Sequence, residues 1–192
     1  MAEYILAHDL GTSGNKATLF STDGTLVGSR TVAYPVYYDQ PLWAEQDSAD
    51  WWRAVCVSTK ELLVAYEVDA EDVKAVSFSG QMMGCLPVDK DGNALCRSII
   101  WADMRAEAQA DALREKIDDD TFYHITGHRN TASYGIQKAM WLKDNRPEIY
   151  EKTYKFLNCI GSGMDGYCCG EVERVRNQLN KKGNYLFAAI KA

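Results

Sequence analysis

Asp9, Gly11, Thr12, Ser13, Gly14 and Lys16 crowd into eight residues between two apolar runs, residues 4–8 and 17–20. Runs of that length suit buried strands. An acidic residue therefore falls at a strand's end, a tight turn of small residues follows, and a lysine opens the return strand. A turn of Gly, Thr and Ser lets an anion come close to backbone N–H groups and hydroxyls, which is the chemistry of a phosphate cradle. A carboxylate beside a phosphate is repulsive unless a cation lies between them, so Asp9 suits a direct or water-mediated Mg²⁺ partner. The same eight residues also fit a plain β-hairpin with a capped turn.

Holding such a turn takes a sheet. Ser21-Thr22-Asp23-Gly24-Thr25 is a strong turn signal, and residues 26–27 and 31–33 read as a third strand antiparallel to the second. Residues 34–45, with Pro35, Pro41 and several aromatics, read as an ordered loop. Asp47 or Ser48 then caps a helix on which Trp52, Val55, Thr59, Leu62, Leu63 and Tyr66 share a packed face. A fourth strand over 73–78 is reached through that helical crossover, and is predicted parallel to the first. It ends in Ser79-Gly80-Gln81-Met82-Met83-Gly84, a second glycine-bounded loop. Ligands in open α/β sheets gather at the carboxyl ends of strands, so the loops after strands one and four are expected to line one cleft.

Farther on, residues 85–88 and 98–101 look like short strands joined across Asp89-Lys90-Asp91-Gly92-Asn93. That turn is not a calcium loop, because its glycine comes too early and Ile100 stands where the bidentate Glu belongs. A helix is predicted over 104–117, with Ala106, Ala110, Leu113 and Ile117 on one face. Asp118-Asp119-Asp120 caps a short helix through Ile125 that Gly127 ends. Ile136, Met140 and Leu142 mark a further helix stopped near Pro147, and residues 154–157 form a strand or a link into one.

The 192 residues are 46% hydrophobic and 25% charged, the proportions of a soluble globular chain. A net charge of −6 argues against nucleic acid as a partner, since phosphate backbones demand a concentrated basic face. No apolar run approaches membrane-spanning length and Met1-Ala2-Glu3 begins no signal peptide, so a cytoplasmic location is expected. The six cysteines contain no C-x-x-C pair and read as reduced thiols. A zinc site from these and the three histidines is disfavoured, as Gly127 breaks the helical face between His124 and His128.

Asp9-x-Gly11-Thr12-x-Gly14-x-Lys16 is followed by Trp43-Ala44-Glu45-Gln46, which leads into Asp50-Trp51-Trp52. Then come Ser79-Gly80-Gln81-Met82-Met83-Gly84 and Trp101-Ala102-Asp103-Met104-Arg105. Thr126-Gly127, Tyr134 and Lys138-x-x-Trp141-Leu142-Lys143 complete the series. In this order, over residues 4–158, the motifs resemble the N-terminal lobe of the FGGY carbohydrate kinases, particularly the xylulokinase-like branch. The resemblance implies an α/β fold, an actin-like, ribonuclease-H-like ATPase domain in which three antiparallel strands precede parallel strands with helical crossovers. It also implies ATP and Mg²⁺, and phosphoryl transfer to a sugar hydroxyl, with D-xylulose to xylulose 5-phosphate as the first expectation.

Carried over by position, Asp9, Gly11, Thr12 and Lys16 match the family's first phosphate motif near Mg²⁺ and the γ-phosphate. Gln81, Met82 and Met83 fall on the loop that touches the sugar, with Met83 where many xylulokinases carry His. Trp101 and Asp103 match a sugar-side motif, an aromatic wall with a carboxylate for a polyol. Arg105 serves equally as a structural partner of Asp103. Tyr134 aligns with a position that can face the sugar or pack in the core, and Glu45 and Gln46 are structural. The family's catalytic Asp and second lobe lie beyond residue 192, so this chain alone is expected to be inactive. A non-catalytic sugar- or phosphate-binding fragment, or an assembly module, is the competing reading. Self-association through a face that the rest of the family fold covers would follow from either.

The resemblance stops near residue 158, and 159–192 is an unaligned tail, read as a short helix or a disordered segment. Within it, Gly161-x-Gly163-x-x-Gly166 mimics a dinucleotide fingerprint. No Asp or Glu follows Glu173 to hold a ribose, which weighs against a dinucleotide-binding oxidoreductase.

Overall fold

In β1 (Tyr4–Leu10), Leu6, His8 and Leu10 are buried while Asp9 is exposed, the period of a strand with one face packed. β2 (Gly14–Ser21) runs antiparallel beside it with Asn15, Ala17 and Leu19 buried, and β3 (Leu26–Ala33) follows antiparallel to β2. The register sets Leu6 opposite Leu19, His8 opposite Ala17 and Leu10 opposite Asn15. Asp9 and Lys16, also opposed, share the other face.

The structure, a computed structural model, describes residues 3–159. They form two compact units, one of residues 3–35 with Ala49–Gln81 and the other of Val36–Ser48 with Met82–Cys159. The span 1–158 expected as one lobe is built of this pair. The tail's glycine pattern lies outside the described residues.

In the first unit, α1 (Ser48–Ala65) buries Trp51, Ala54, Val55, Ser58, Thr59, Leu62 and Leu63. Tyr66, predicted on that packed face, is 45% exposed. A short 3-10 turn (Ala70–Asp72) leads into β5 (Val73–Gly80), which pairs parallel with β1 and completes the order β3-β2-β1-β5. Leu6, Ala17 and Leu19 from the sheet meet Leu62, Leu63 and Val68 in one core. Each such side chain contributes about 1.5–3 kcal/mol when fully buried. Three antiparallel strands followed by a parallel one across a helix is the predicted arrangement, with one parallel strand in this sheet among the described residues.

The second unit is assembled from shorter pieces. β4 (Glu45–Gln46) pairs with β7 (Ser98–Ile99), and β6 (Leu86–Val88) with β8 (Lys155–Leu157), both antiparallel. The strands predicted near 85–88 and 98–101 exist, but a single bridge, Cys85 with Ile99, joins them directly. The turn after β6 closes early, at Val88 and Ala94, and the two strands part to other partners. Asp89 folds that turn onto itself, its Oδ1 accepting the amides of Asp91 and Asn93 at 2.9 and 2.8 Å. α2 (Glu107–Arg114) is shorter than predicted at both ends. α3 (Asp119–Thr126) has the predicted caps: Asp118 accepts the Thr121 amide, and Gly127 adopts the left-handed conformation. On α4 (Gly135–Asn145) Leu142 is buried as expected, whereas Ile136 is exposed and Gln137 and Lys138 are buried in its place. α5 (Pro147–Tyr150) supplies Ile149 to a core shared with Cys85, Ile99 and Leu142. Among the described residues no helix is long and apolar enough to cross a membrane.

Beneath the turn between β1 and β2 lies a buried polar network. Asn15 Nδ2 donates to His8 Nδ1 at 3.0 Å and to Ser58 Oγ at 2.8 Å, and Ser58 Oγ donates to the Ala54 carbonyl. With Nδ1 accepting, His8 carries its proton on Nε2, which donates to Thr59 Oγ1 at 3.3 Å. The imidazole also stacks on Phe78 of β5, with ring centroids 5.1 Å apart. His8 directly precedes Asp9 and Asn15 directly follows Gly14, so both ends of the turn are tied to α1. Burial pulls the His8 pKa down to about 4 and leaves the ring neutral at pH 7.

Because its folded pKa lies below the unfolded value, His8 contributes stability that is present above pH 6.5 and is lost as pH falls toward 4. Denaturant unfolding at pH 7 and pH 4.5 is expected to show that loss, on the order of 2–3 kcal/mol at most, and to show it reduced in His8→Gln. Equal acid sensitivity in both proteins would contradict it. A second check concerns Gly14, where an added Cβ would sit 2.7 Å from the Val32 carbonyl oxygen of β3. Gly14→Ala is expected to destabilise by about 1–3 kcal/mol through forced strand separation, and a change near zero would contradict the close approach.

Candidate functional site

The first unit carries the predicted phosphate turn. Residues 11–13 link β1 to β2, and the Gly11 amide donates to the Gly14 carbonyl at 3.0 Å. Tyr34, at the end of β3, donates its hydroxyl to the Gly11 carbonyl at 2.6 Å and its amide to Ser13 O at 3.3 Å. Three carbonyls of the turn are thus engaged by the protein's own donors, one of which is the Gly11 amide itself, so Gly11 leaves room for close approach rather than a free N–H. Sequence reading missed Tyr34, whose only signal is an aromatic at the end of a strand. Asp9 and Lys16 lie exposed and opposed across the ladder at the mouth of this turn. Parallel pairing places Ser79 beside Asp9 and Gly80 beside Leu10, and the Gln81 amide donates to Leu10 O at 2.9 Å. The carboxyl ends of β1 and β5 therefore lie side by side at one end of the sheet, and Asp9, Gly11, Thr12, Lys16 and Gln81 are brought together there. Among the described residues no three His, Cys, Asp or Glu gather as a metal cage. Asp9 is then the carboxylate available to a cation at this end, and Mg²⁺ characteristically takes one or two carboxylates, with phosphates and water supplying the rest.

The second unit carries Met82, Met83, Trp101, Asp103 and Tyr134. Met82 is 55% and Trp101 43% exposed, while Met83 and Tyr134 are half-buried. Tyr134 lies against the His128 ring, with centroids 4.7 Å apart. Met83 adopts φ 60°, an uncommon backbone for a non-glycine residue.

Asp103 does not behave as the expected sugar-side carboxylate. It is fully buried, and the protein saturates its oxygens. The Ala44 amide donates to Oδ2 at 2.6 Å, the Arg105 amide to Oδ1 at 3.0 Å, and the Arg105 guanidinium to both oxygens at 2.7–3.0 Å. Arg105 also pairs with Glu45 at 2.7 Å, and its guanidinium lies 3.6 Å from the Trp43 ring centroid and 5.0 Å from that of Trp141. Three motifs that are far apart in sequence are thus one packed cluster, with Arg105 at its centre. Its planar fork and weak hydration fit it for a bidentate, ring-stacked site as no lysine would. Glu45 is engaged in the ion pair with Arg105 and Gln46 is fully buried.

A second buried cation stands nearby. Lys138 Nζ donates to the carbonyls of Met83 and Ile100, each at 2.8 Å, and to that of Ser133. Burial pulls its pKa down to about 8, against the opposing pull of Asp103. The sequence marked Lys138 only as part of a motif on a helix, with nothing to show that it points inward.

Removing Asp103 would leave Arg105 buried with half its compensation. Asp103→Ala is expected to cost about 3–5 kcal/mol of folding free energy, the usual penalty for stranding one partner of a buried pair. A loss below about 1 kcal/mol in urea unfolding would return Asp103 to the list of solvent-facing candidates.

Set against known proteins, the profile of the FGGY family of carbohydrate kinases, N-terminal domain, matches residues 4–161. The chain is 32% identical over 155 residues to the xylulose kinase of Bacillus subtilis (strain 168), a match covering 81% of this chain and 31% of that protein. It is 34% identical over 142 residues to the glycerol kinase of Acaryochloris marina (strain MBIC 11017), covering 73% and 28%. Among solved structures, a xyloylose kinase from Brucella ovis superposes with a TM-score of 0.74 at 30% identity, covering 81% of this chain and 32% of the other. The chain therefore spans about a third of the length of the curated relatives it matches. With the sheet order, the turn at the end of β1 and the family profile in agreement, this chain belongs to the FGGY family of carbohydrate kinases and has the start of their actin-like ATPase fold.

Proposed function

We propose that residues 4–158 serve as the phosphate- and sugar-binding part of an ATP-dependent sugar kinase whose acceptor is a pentulose, D-xylulose. The observation that carries this is the exposed Asp9 carboxylate at the end of β1, beside a turn of small residues and at the same end of the sheet as Ser79–Gln81. Phosphoryl transfer needs positioning, charge neutralisation and a base for the attacking hydroxyl. Asp9 would hold Mg²⁺, directly or through water, and the bound ion would neutralise charge on the terminal phosphates of ATP. Gly11, Thr12 and Lys16 receive the phosphate, with Lys16 adding a positive charge across the ladder from Asp9. Gln81, Met82, Met83, Trp101 and Tyr134 contact the sugar, and Asp103 acts through Arg105 by fixing the segment under Trp101.

The pentulose assignment draws support from the xylulose kinases among the relatives, against which the glycerol kinase match and Met83 in place of His set the competing specificity. By resemblance the family base is not among residues 4–158, so these residues bind sugar and phosphate and need a further part of the fold for turnover. A cytoplasmic location belongs to the same reading.

Calorimetric titration of the 192-residue chain with D-xylulose is expected to give saturable binding, weakened about tenfold (about 1.4 kcal/mol) in Trp101→Ala. Glycerol binding more tightly than D-xylulose would overturn the pentulose assignment, and no saturable heat with any sugar would overturn sugar binding. ATP-coupled formation of a sugar phosphate by this chain alone would contradict its dependence on a second part.

A further inference from the structure

Lys138 has no part in the assignment above, yet its surroundings are among the most constrained in the second unit. It is fully buried, and each of its three N–H bonds has a backbone carbonyl to donate to. Those carbonyls come from three separate stretches of chain. Met83 lies in the loop before β6, Ile100 directly precedes Trp101, and Ser133 directly precedes Tyr134. Each stretch therefore holds a proposed sugar contact at the fastened residue or next to it. A methionine of similar length would fill the same space but could bind none of the three carbonyls. Burying an ammonium is costly unless every donor is met, so its presence points to geometry rather than to packing alone.

Two further observations tie the same stretches together. Met83 holds a left-handed backbone while its carbonyl is engaged by the ammonium. At the start of α4, an added Cβ on Gly135 would sit 3.2 Å from the Gly84 carbonyl oxygen, so helix and loop approach too closely for a side chain to fit freely.

We propose that Lys138 is the positioning residue of the sugar side: its ammonium fastens the three backbone segments that present Met82 with Met83, Trp101 and Tyr134, so that they move as one. The proposal depends on the reading of those side chains as sugar contacts. The other ionisable groups facing Lys138 are Asp103 and Arg105, paired with each other, and Cys85, whose thiol burial pushes up to about 12. Between pH 7 and 9.5 Lys138 is then the member of this cluster whose charge changes.

Amide hydrogen exchange on the 192-residue chain and on Lys138→Met tests the fastening. Residues 83–84, 101–102 and 134–135 are expected to exchange at least about tenfold faster together in the variant, while β1, β2 and β5 keep their protection. No change, or a response in one segment alone, would overturn the proposal. Should the variant fail to fold, the wild-type chain carries the test. Raising pH from 7 to 9.5 must loosen the same three segments together once the intrinsic base-catalysed rate is removed, and a flat result would overturn it. A merely structural lysine is separated by the sugar itself. D-xylulose affinity is expected to fall as pH rises through about 8 in the wild type, and to be lower and flat with pH in Lys138→Met; the same pH profile in both proteins would contradict the role. If the wild-type chain binds no D-xylulose but the three segments still loosen together, the fastening stands and the sugar assignment fails.

Discussion

Backbone pairing between β1 and β5, from Tyr4 opposite Val73 to Leu10 opposite Gly80, fixes which loops leave the sheet side by side. Parallel strands need a crossover, and α1 supplies it while burying Leu62 and Leu63 against Leu6 and Leu19. The consequence is geometric. Two chain segments that leave the sheet after Leu10 and after Gly80 do so at the same end. Antiparallel pairing would have sent them to opposite ends, and Asp9 would then have had no neighbouring loop.

Polar burial does most of the specifying in both units. Under the turn between β1 and β2, His8, Asn15, Ser58 and Thr59 lock strand to helix through hydrogen bonds that only one register satisfies. In the second unit, Asp103 with Arg105 and Lys138 with its carbonyls do the same for short strands that make few ladder bonds of their own. Apolar side chains of like volume would give comparable or greater stability there, but would not define a single arrangement of loops. The two kinds of cation divide the labour by their chemistry. Arg105 is planar and lies over the Trp43 indole, whereas Lys138 is a point charge reaching three carbonyls at once.

Elements whose period and punctuation agree were readable from the residues: the first three strands, the capped helix from Asp118 to Gly127, and the parallel strand after the long helix. Strand partners in the second unit were not readable. Pieces as short as Glu45–Gln46 and Ser98–Ile99 carry no periodicity, and their pairing is decided by contacts distant in sequence. Burial of polar residues was hidden for a related reason. A lysine two residues after an isoleucine on a helix is ordinarily the outward one of the two, yet Ile136 is exposed and Lys138 is not. At the candidate site, residue types marked the turn between β1 and β2. They could not tell that Asp103 is consumed by Arg105, because a carboxylate beside an aromatic has the same sequence signature whether it faces a sugar or the protein.

We propose that the turn after β1, with Asp9 at its mouth, receives the terminal phosphates of a magnesium nucleotide. Amide chemical shifts of the isotope-labelled chain, followed while Mg²⁺ and a non-hydrolysable ATP analogue are added, test it most directly. The shifts should concentrate at residues 9–16 and at Gln81, and should require Mg²⁺ and vanish in Asp9→Asn. Saturable shifts clustered elsewhere with residues 9–16 unmoved, or shifts that persist unchanged in Asp9→Asn, would contradict the account.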